Sequence, residues 1–355
     1  MRKLVVFSGT HNPPTISTRR LMIAALDQLQ ARRGTFVLSS DSNVEWGLGE
    51  SGVEVEETIK TPRLARYAML KLLMEGEKRV KISAPDFDEE WLGGTVAGLR
   101  RLRETKTDAE LHFVAEEEKL RDASQWRTLE EIAGFAKIVA FESESFDPRA
   151  LVEKTPALKR VAEALVVLRE PEGFERIDPS EVRRRAENGE SIEKFVGSGV
   201  AKLFEWFRDH QGAIALFRGK YGFLGNFYHP APVRFEGLEF ANSEAAFQGA
   251  KTLDPQLRAS FCDLTPSAAK KLGGQVELRP DWEEVKDSVM EAVVRDKFTR
   301  HAEFGRLLLE TGDRELYEGN SWDDSYWGFD YLKAEGRNQL GRTLMKIRAE
   351  LAARE

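Results

Sequence analysis

A chain of 355 residues, 41% hydrophobic and 32% charged, is long for one core, so two globular domains are expected. No apolar run approaches the roughly 20 residues of a membrane span, and the polar run Gly9-Thr-His-Asn12 interrupts the N-terminal apolar stretch too early for a signal peptide. A net charge of −7 argues against broad wrapping of nucleic acid, and a single cysteine, Cys262, excludes an intramolecular disulfide or a thiolate zinc cage, so a reducing, cytoplasmic setting is expected.

In chain order, Lys3–Ser8 reads as a strand, Thr18–Arg32 as a helix and Thr35–Ser39 as a strand. Thr61 as cap and Pro62 in the first turn open a helix running to Met74. Arg79–Ser83 is a strand, Thr95–Glu104 a helix, and Glu110–Ala115 and Lys137–Phe141 are strands. Short apolar strands between amphipathic helices predict an α/β domain with a doubly wound parallel sheet, which binds ligands at the carboxyl ends of its strands. A helix over Val200–Arg208 precedes the polar break His210-Gln-Gly-Ala213, placing the boundary between domains at 1–210 and 211–355.

The first crossover, Val6-Phe-Ser-Gly-Thr-His-Asn-Pro-Pro-Thr-Ile-Ser-Thr18, is followed by the Phe113–Trp126 segment, Ile177-Asp-Pro-Ser-Glu-Val-Arg183 and Asn188-Gly-Glu-Ser-Ile-Glu-Lys-Phe-Val196. Together these blocks resemble the nicotinate/nicotinamide mononucleotide adenylyltransferases over residues 1–208. The resemblance implies a nucleotidyltransferase-like fold with Gly9, Asn12, Thr15, Thr18 and Arg183 around a nucleotide. The departures are chemical. The family's His-x-Gly-His reads Thr15-Ile-Ser-Thr18 here, and the Gly-x-Asp after the fourth strand reads Glu116-Glu-Glu118. A threonine donates one hydrogen bond but carries no charge, and losing a charge-assisted donor to a phosphoryl transition state costs orders of magnitude in rate. His11 is either a loop histidine bonded to backbone or a partial substitute for the missing imidazoles. The first half therefore reads as a nucleotidyltransferase fold without its catalytic equipment. With Asn12 and Arg183 retained, it either holds a NAD-related ligand or serves as a scaffold.

In the second half, Asn242-Ser-Glu-Ala-Ala-Phe-Gln-Gly-Ala-Lys251 places Glu244, Gln248 and Lys251 on one face of a helix otherwise made of Ala and Phe. An acid, an amide and an amine on a buried face need partners or a ligand; on a surface they would be ordinary neighbours. Around this helix lie Phe217-Arg-Gly219, Phe223-Leu-Gly-Asn-Phe-Tyr228, Leu278-Arg-Pro-Asp-Trp282, Val289-Met-Glu-Ala-Val-Val-Arg-Asp-Lys-Phe298, Leu307-Leu-Leu-Glu-Thr-Gly312, Tyr317-Glu-Gly-Asn-Ser-Trp-Asp-Asp-Ser-Tyr-Trp-Gly328 and Gly336-Arg-Asn-Gln-Leu-Gly-Arg-Thr-Leu-Met-Lys-Ile-Arg348. In this order and spacing the blocks resemble the NADAR family over residues 213–352. That family includes N-glycosidases acting on riboflavin-pathway intermediates and enzymes that remove ADP-ribose from guanine. The resemblance implies a mainly α, α+β domain that cleaves an N-glycosidic bond. Where members usually carry His or a small residue after the helix Glu, this chain has Ala245.

Cleaving such a bond requires stabilising an oxocarbenium-like ribose and helping the base depart, work that carboxylates do in glycosidases. Glu244 is the candidate acid/base, its pKa raised if it is buried among Ala and Phe. Lys251 is either a phosphate-holding charge or a nucleophile that forms a Schiff base with the opened sugar. Asp323 and Asp324, framed by Trp322, Tyr326 and Trp327, suggest a lip where rings stack on a base while an acid, Asp323 first, serves the ribose. Arg218, Gly219, Asn226 and Phe227 are candidate substrate contacts on loops, with Gln248, Trp282, Glu318, Asn320 and Asn338 beside them. Trp282 also reads as packing, and Asn338 and Gly341 as the start of a final helix over Leu344–Ala352. The histidines lack ligand spacing, so no metal and no cofactor is expected. The partners expected are a small nucleotide or an ADP-ribosylated nucleic acid, with no membrane. The competing functions are an adenylyltransferase of NAD synthesis and a non-catalytic NAD or ADP-ribose sensor.

Overall fold

A computed structural model of the chain describes residues 2–38, 60–82 and 94–354. It divides into two compact units, Met1–Gln211 with Tyr331–Ala334, and Gly212–Asp330 with Glu335–Glu355.

The first unit is built on six strands: β1 (Arg2–Gly9), β2 (Arg33–Leu38), β3 (Val80–Ile82), β4 (Ala109–Val114), β5 (Lys137–Glu142) and β6 (Leu165–Arg169). All neighbours pair in parallel, in the order β3-β2-β1-β4-β5-β6. Both sheet faces are apolar, and Val5, Val6, Phe36, Leu111, Ile138 and Val139 are fully buried, as a sheet covered by helices on both sides requires. The order reverses between β1 and β4, so the crevice at their carboxyl ends is where this topology accommodates a ligand.

The sequence-predicted strands form with ends shifted by a residue or two; Ser39 and Ser83 lie outside the described residues. Strand β6 was not anticipated. Its residues Leu165-Val-Val-Leu168 follow the Lys159–Ala164 helix with no turn residue between them, so periodicity gave no boundary. Thr61 is also not the cap of the next helix. The helix spans Arg63–Leu73 with Pro62 in the cap position, and the Thr61 hydroxyl instead donates to Asn12 Oδ1 at 2.6 Å.

The second unit is mainly helical. Its longest helix, Trp282–Arg300, packs against the helices Ser243–Gly249, Ala302–Leu309 and Gln339–Ala352 around Phe240, Phe261, Val293, Val294, Phe298 and Leu344. The strands are short: an antiparallel hairpin of Val233–Phe235 and Leu238–Phe240, and a parallel pair, Gly319–Asn320 with Phe329–Asp330. Glu236 (φ 44°) and Gly237 (φ 80°) make the hairpin turn, both left-handed as a two-residue turn between right-twisted strands demands. The final helix starts five residues earlier than predicted, at Gln339, after Asn338 in a left-handed conformation. Gly341 lies inside its first turn, where a Cβ would fall 2.0 Å from the Leu316 carbonyl oxygen.

Lys297 is buried in this core, 1% exposed, and burial drives its amine from 10.5 down to about 7. The folded protein thus releases this proton at lower pH than the unfolded chain. Its destabilising effect is complete below about pH 7 and is relieved as pH rises toward the unfolded value near 10.5. Denaturant titrations should therefore show wild-type stability gaining on that of Lys297→Met as pH is raised from about 7 to about 10. A difference between the two that is independent of pH would contradict the assignment.

Candidate active site

The Ser243–Gly249 helix is short, and every residue in it is buried. Asn242 caps it, its Oδ1 accepting from the Ala245 N–H at 2.9 Å while its Nδ2 donates to the Leu264 carbonyl. The cap places Glu244 in the first turn and Gln248 one turn later, and Gln248 Nε2 donates to Glu244 Oε1 at 2.8 Å. The helix ends sooner than predicted. Ala250 is its C-cap and Lys251 lies in the following turn, with its carbonyl accepting from the Arg279 N–H. The Lys251 amine still lies by the carboxyl: it is half-buried, 3.4 Å from the Gly273 carbonyl oxygen and 6.0 Å from the centre of the Trp282 ring.

Burial dominates the electrostatics. Glu244 is 6% exposed, and desolvation raises its carboxyl above the ordinary range despite the Gln248 hydrogen bond and the charges of Lys270 and Lys251; Asp324 pushes it further up. Glu318 is pushed up to about 8, first by desolvation, then by the negative charges of Asp324 and Glu244, with Lys270 and Arg218 opposing. Glu318, raised to about 8, keeps its proton through neutrality, and the charge of Glu244 contributes to that shift. The Lys251 amine is lowered by desolvation, with Glu244 opposing and Lys270 adding to the shift. The site thus combines two carboxyls whose pKa values burial raises and an amine that loses its proton more easily than a surface lysine. Clustered titratable groups shifted by burial and by one another in this way mark candidate acid/base sites.

The remaining predicted residues divide into two groups. Asp324 faces both glutamates, and its Oδ1 accepts from the Trp327 N–H at 2.9 Å. Asp323, the residue favoured from sequence, is exposed and left-handed (φ 70°), so the turn presents its neighbour to the cluster. Asn320 spends its amide inside this loop, accepting from the Trp322 and Asp324 N–H groups and donating to the Asp324 carbonyl. Asn338 clamps the segment carrying Glu318: Nδ2 donates to the Leu316 carbonyl and Oδ1 accepts from the Glu318 N–H. Asn226 donates to Met290 Sδ, and its carbonyl accepts from the Glu244 N–H. Gly219 has φ 55°, a conformation that favours glycine, just after Arg218. Trp282 and Trp327 both pack on Phe247, with ring centres 5.2 Å away, and the Tyr326 hydroxyl donates to Asp287. Of the expected aromatic lip, Trp322 is exposed (49%), and the loop candidate Phe227 is exposed as well (48%).

Two residues escaped the sequence reading. Lys270 acts on Glu244, Glu318 and Lys251, and its amine lies 5.3 Å from the centre of the Phe227 ring. In sequence it sits in Pro266-Ser-Ala-Ala-Lys-Lys271, which reads as the solvated end of a helix. Gly273 closes that helix against Gln248: a Cβ there would fall 2.0 Å from Gln248 Oε1 and 2.8 Å from its Cβ and Cδ. Gln248 Oε1 is buried and has no hydrogen-bond partner among the described residues. No group of three or more His, Cys, Asp or Glu is placed to hold a metal, and no helix is long and apolar enough to cross a membrane, among the described residues.

In the first unit, the loop after β1 is held by its own side chains. Thr15 caps the Ile16–Gln28 helix, and its Oγ1 lies 2.8 Å from Ser17 Oγ and 3.2 Å from Thr18 Oγ1. Arg183 donates to the Asn12 carbonyl at 2.7 Å, and Arg66 to that of Thr10 at 2.8 Å. At the end of β1, a Cβ on Gly9 would meet the His11 ring at 3.4 Å. That ring sits between Phe7 and Phe36, and burial holds it neutral with a pKa of about 3, so it does not replace a cationic histidine. Glu117 and Glu118 pair with Arg176.

Residues 207–352 match the NADAR domain. Among curated proteins, the chain is 38% identical over 135 residues to N-glycosidase YbiA of Escherichia coli, covering 37% of this chain and 82% of that protein. It is 37% identical over 134 residues to Riboflavin biosynthesis protein VVA0006 of Vibrio vulnificus, covering 37% of this chain and 36% of that protein. It is also 23% identical over 205 residues to the probable nicotinate-nucleotide adenylyltransferase of Clostridium perfringens, covering 58% of this chain and 96% of that protein.

The contact at Gly273 generates a test. Gly273→Ala forces Gln248 off Glu244, at an overpacking cost of about 1–3 kcal/mol. The variant should fold but show the Glu244 carboxyl titrating at a different pH by carboxyl-carbon NMR. An unchanged titration would mean that Gln248 does not set the state of Glu244.

Proposed function

The chain belongs to the NADAR family, and from that premise and the carboxyl cluster we propose that its second unit is an N-glycosidase acting on a ribose-bearing nucleotide. The observation that supports this reading is the pairing of a buried Glu244 whose carboxyl pKa is raised, with Lys251 in its field, and a Glu318 pushed up to about 8 that feels the Glu244 charge. In the proposed sequence, the Lys251 amine attacks the anomeric carbon and the bond to the base nitrogen breaks. The base takes the proton held by Glu318. The bond from the anomeric carbon to the ring oxygen then breaks, with one proton passing from the attacking nitrogen to that oxygen, and leaves a protonated imine on Lys251. Water, deprotonated by Glu244, adds to that imine and releases the free sugar and the amine. Trp322 and Phe227 supply exposed faces for an aromatic base, and Lys270 and Arg218 supply positive charge for a phosphate.

The net charge of −7 favours a small nucleotide over a long duplex. The name of the Vibrio relative favours a phosphoribosyl amine of the riboflavin pathway over ADP-ribosylated guanine. For the first unit we propose a nucleotide-binding or scaffold role without adenylyl transfer, since uncharged Thr15 and Thr18 stand where the transferases place imidazoles and the Thr15 hydroxyl bonds to those of Ser17 and Thr18.

Purified protein should cleave the glycosidic bond of a phosphoribosylamino-pyrimidine, with ADP-ribosylated guanine run in parallel. Glu244→Gln should lose roughly 10²-fold or more in kcat while still binding substrate. Borohydride should trap a ribose adduct in wild type and none in Lys251→Ala. If neither substrate is cleaved, the glycosidase reading fails; if the adduct persists without Lys251, the nucleophile is another residue. Incubation with ATP and nicotinamide mononucleotide should yield no dinucleotide, and enzyme-like turnover there would overturn the reading of the first unit.

A further inference from the structure

The acid/base account leaves Lys297 unused, although its side chain is buried in the core of the second unit, 1% exposed. Its amine donates to the Gly225 carbonyl at 2.9 Å and faces aromatic rings: Phe298 at 5.3 Å, Tyr228 at 5.5 Å and Phe304 at 5.9 Å. Burial alone lowers its pKa, with no carboxylate contributing. An apolar side chain of similar length would fill this space at lower cost, because an amine taken from water must be compensated by its partners. Packing therefore does not explain the nitrogen, but the bond to Gly225 does.

Gly225 begins the turn that reaches the site. The next residue, Asn226, offers its carbonyl to the Glu244 N–H at 3.3 Å and anchors its own side chain on Met290. Phe227, after it, is the exposed ring beneath Lys270. The first turn of a helix leaves its N–H groups without intrahelical acceptors, so the Asn226 carbonyl fixes the backbone from which the Glu244 carboxyl projects. The Lys297 bond to Gly225, alongside the Tyr228 N–H that the same carbonyl accepts at 3.3 Å, thus bears on both the seat of the carboxyl and the aromatic face beside it.

We propose that Lys297 is the positioning residue of the site: it clamps the Gly225–Tyr228 turn and thereby holds Glu244 and Phe227 in register. It touches no substrate. The proposal rests on the glycosidase reading for its activity arm, whereas its backbone arm needs no substrate.

The test compares the full-length wild type with Lys297→Met, which keeps the apolar stem, and Lys297→Gln, which keeps a donor. In Lys297→Met, amide hydrogen exchange at Glu244 should accelerate by about tenfold or more, while exchange at Val293 and Val294 in the same core changes much less. With whichever nucleotide the wild type cleaves, kcat should fall by roughly tenfold or more and KM should move less, since a carboxyl displaced by a fraction of an ångström still permits binding. Lys297→Gln should recover part of both losses. The proposal is overturned if Glu244 exchange is unchanged, if all core amides accelerate together, or if Lys297→Met retains wild-type kcat. Should Lys297→Met fail to fold, Lys297→Gln carries the same exchange comparison. Should the wild type cleave neither substrate, the glycosidase reading fails and the exchange result alone decides on the clamp.

Discussion

The desolvation of Glu244 is the constraint on which the second unit is organised. A carboxyl at the start of a helix would ordinarily be stabilised as an anion by the helix dipole and by water. Here the helix is lined with Ala245, Ala246 and Gly249, so its neighbours approach closely and exclude water, with Phe240 and Phe261 directly against Gly249. The result is a carboxyl whose charged form is costly, held beside an amide on its own helix and within the field of two lysines. Raised carboxyl pKa values of this kind reduce stability as pH climbs through neutrality, because the folded state must give up protons that the unfolded chain has already lost. A fold that retains such groups gives up stability at neutral pH for their chemistry.

Glu318 extends the same logic. It sits on a separate segment, tied in place by Asn338 and by close backbone packing at Gly328, where a Cβ would lie 2.2 Å from the Glu318 carbonyl oxygen. The Asn320 amide shapes the adjoining loop so that Asp324 adds its negative charge to both glutamates. Asn320 and Asn338 thus hold the carboxyl groups in place through hydrogen bonds to backbone. In the first unit the corresponding polar groups are turned inward: Thr15, Ser17 and Thr18 bond among themselves, and Arg183 bonds to the loop it adjoins.

Much of this was legible in the sequence where chemistry follows from spacing. The four-residue interval from Glu244 to Gln248 puts both on one helix face, where the two side chains hydrogen-bond, and alternating short strands and helices predict the parallel sheet. What was not legible depends on backbone direction or on distance between remote segments. Asp323 and Asp324 are adjacent and chemically identical, and only the left-handed turn at Asp323 decides which of them faces the cluster. Lys270 resembles any lysine near a helix end, Gly273 any glycine after one, and both meet Glu244 or Gln248 only through tertiary packing. The sixth strand escaped because an apolar run after a helix carries no period of its own.

The central claim is that burial and mutual repulsion raise both glutamates above the ordinary carboxylate range, Glu318 to about 8. Carboxyl-carbon NMR of glutamate-labelled protein, titrated from acid to mildly alkaline pH, reads this directly, with Glu244→Gln and Glu318→Gln assigning the signals. The account predicts one resonance titrating at about 8 that disappears in Glu318→Gln, and a second, raised above the ordinary value, that disappears in Glu244→Gln. It also predicts that removing Glu244 moves the Glu318 midpoint down, since one negative charge is lost. Both glutamates titrating together in the ordinary carboxylate range would contradict it.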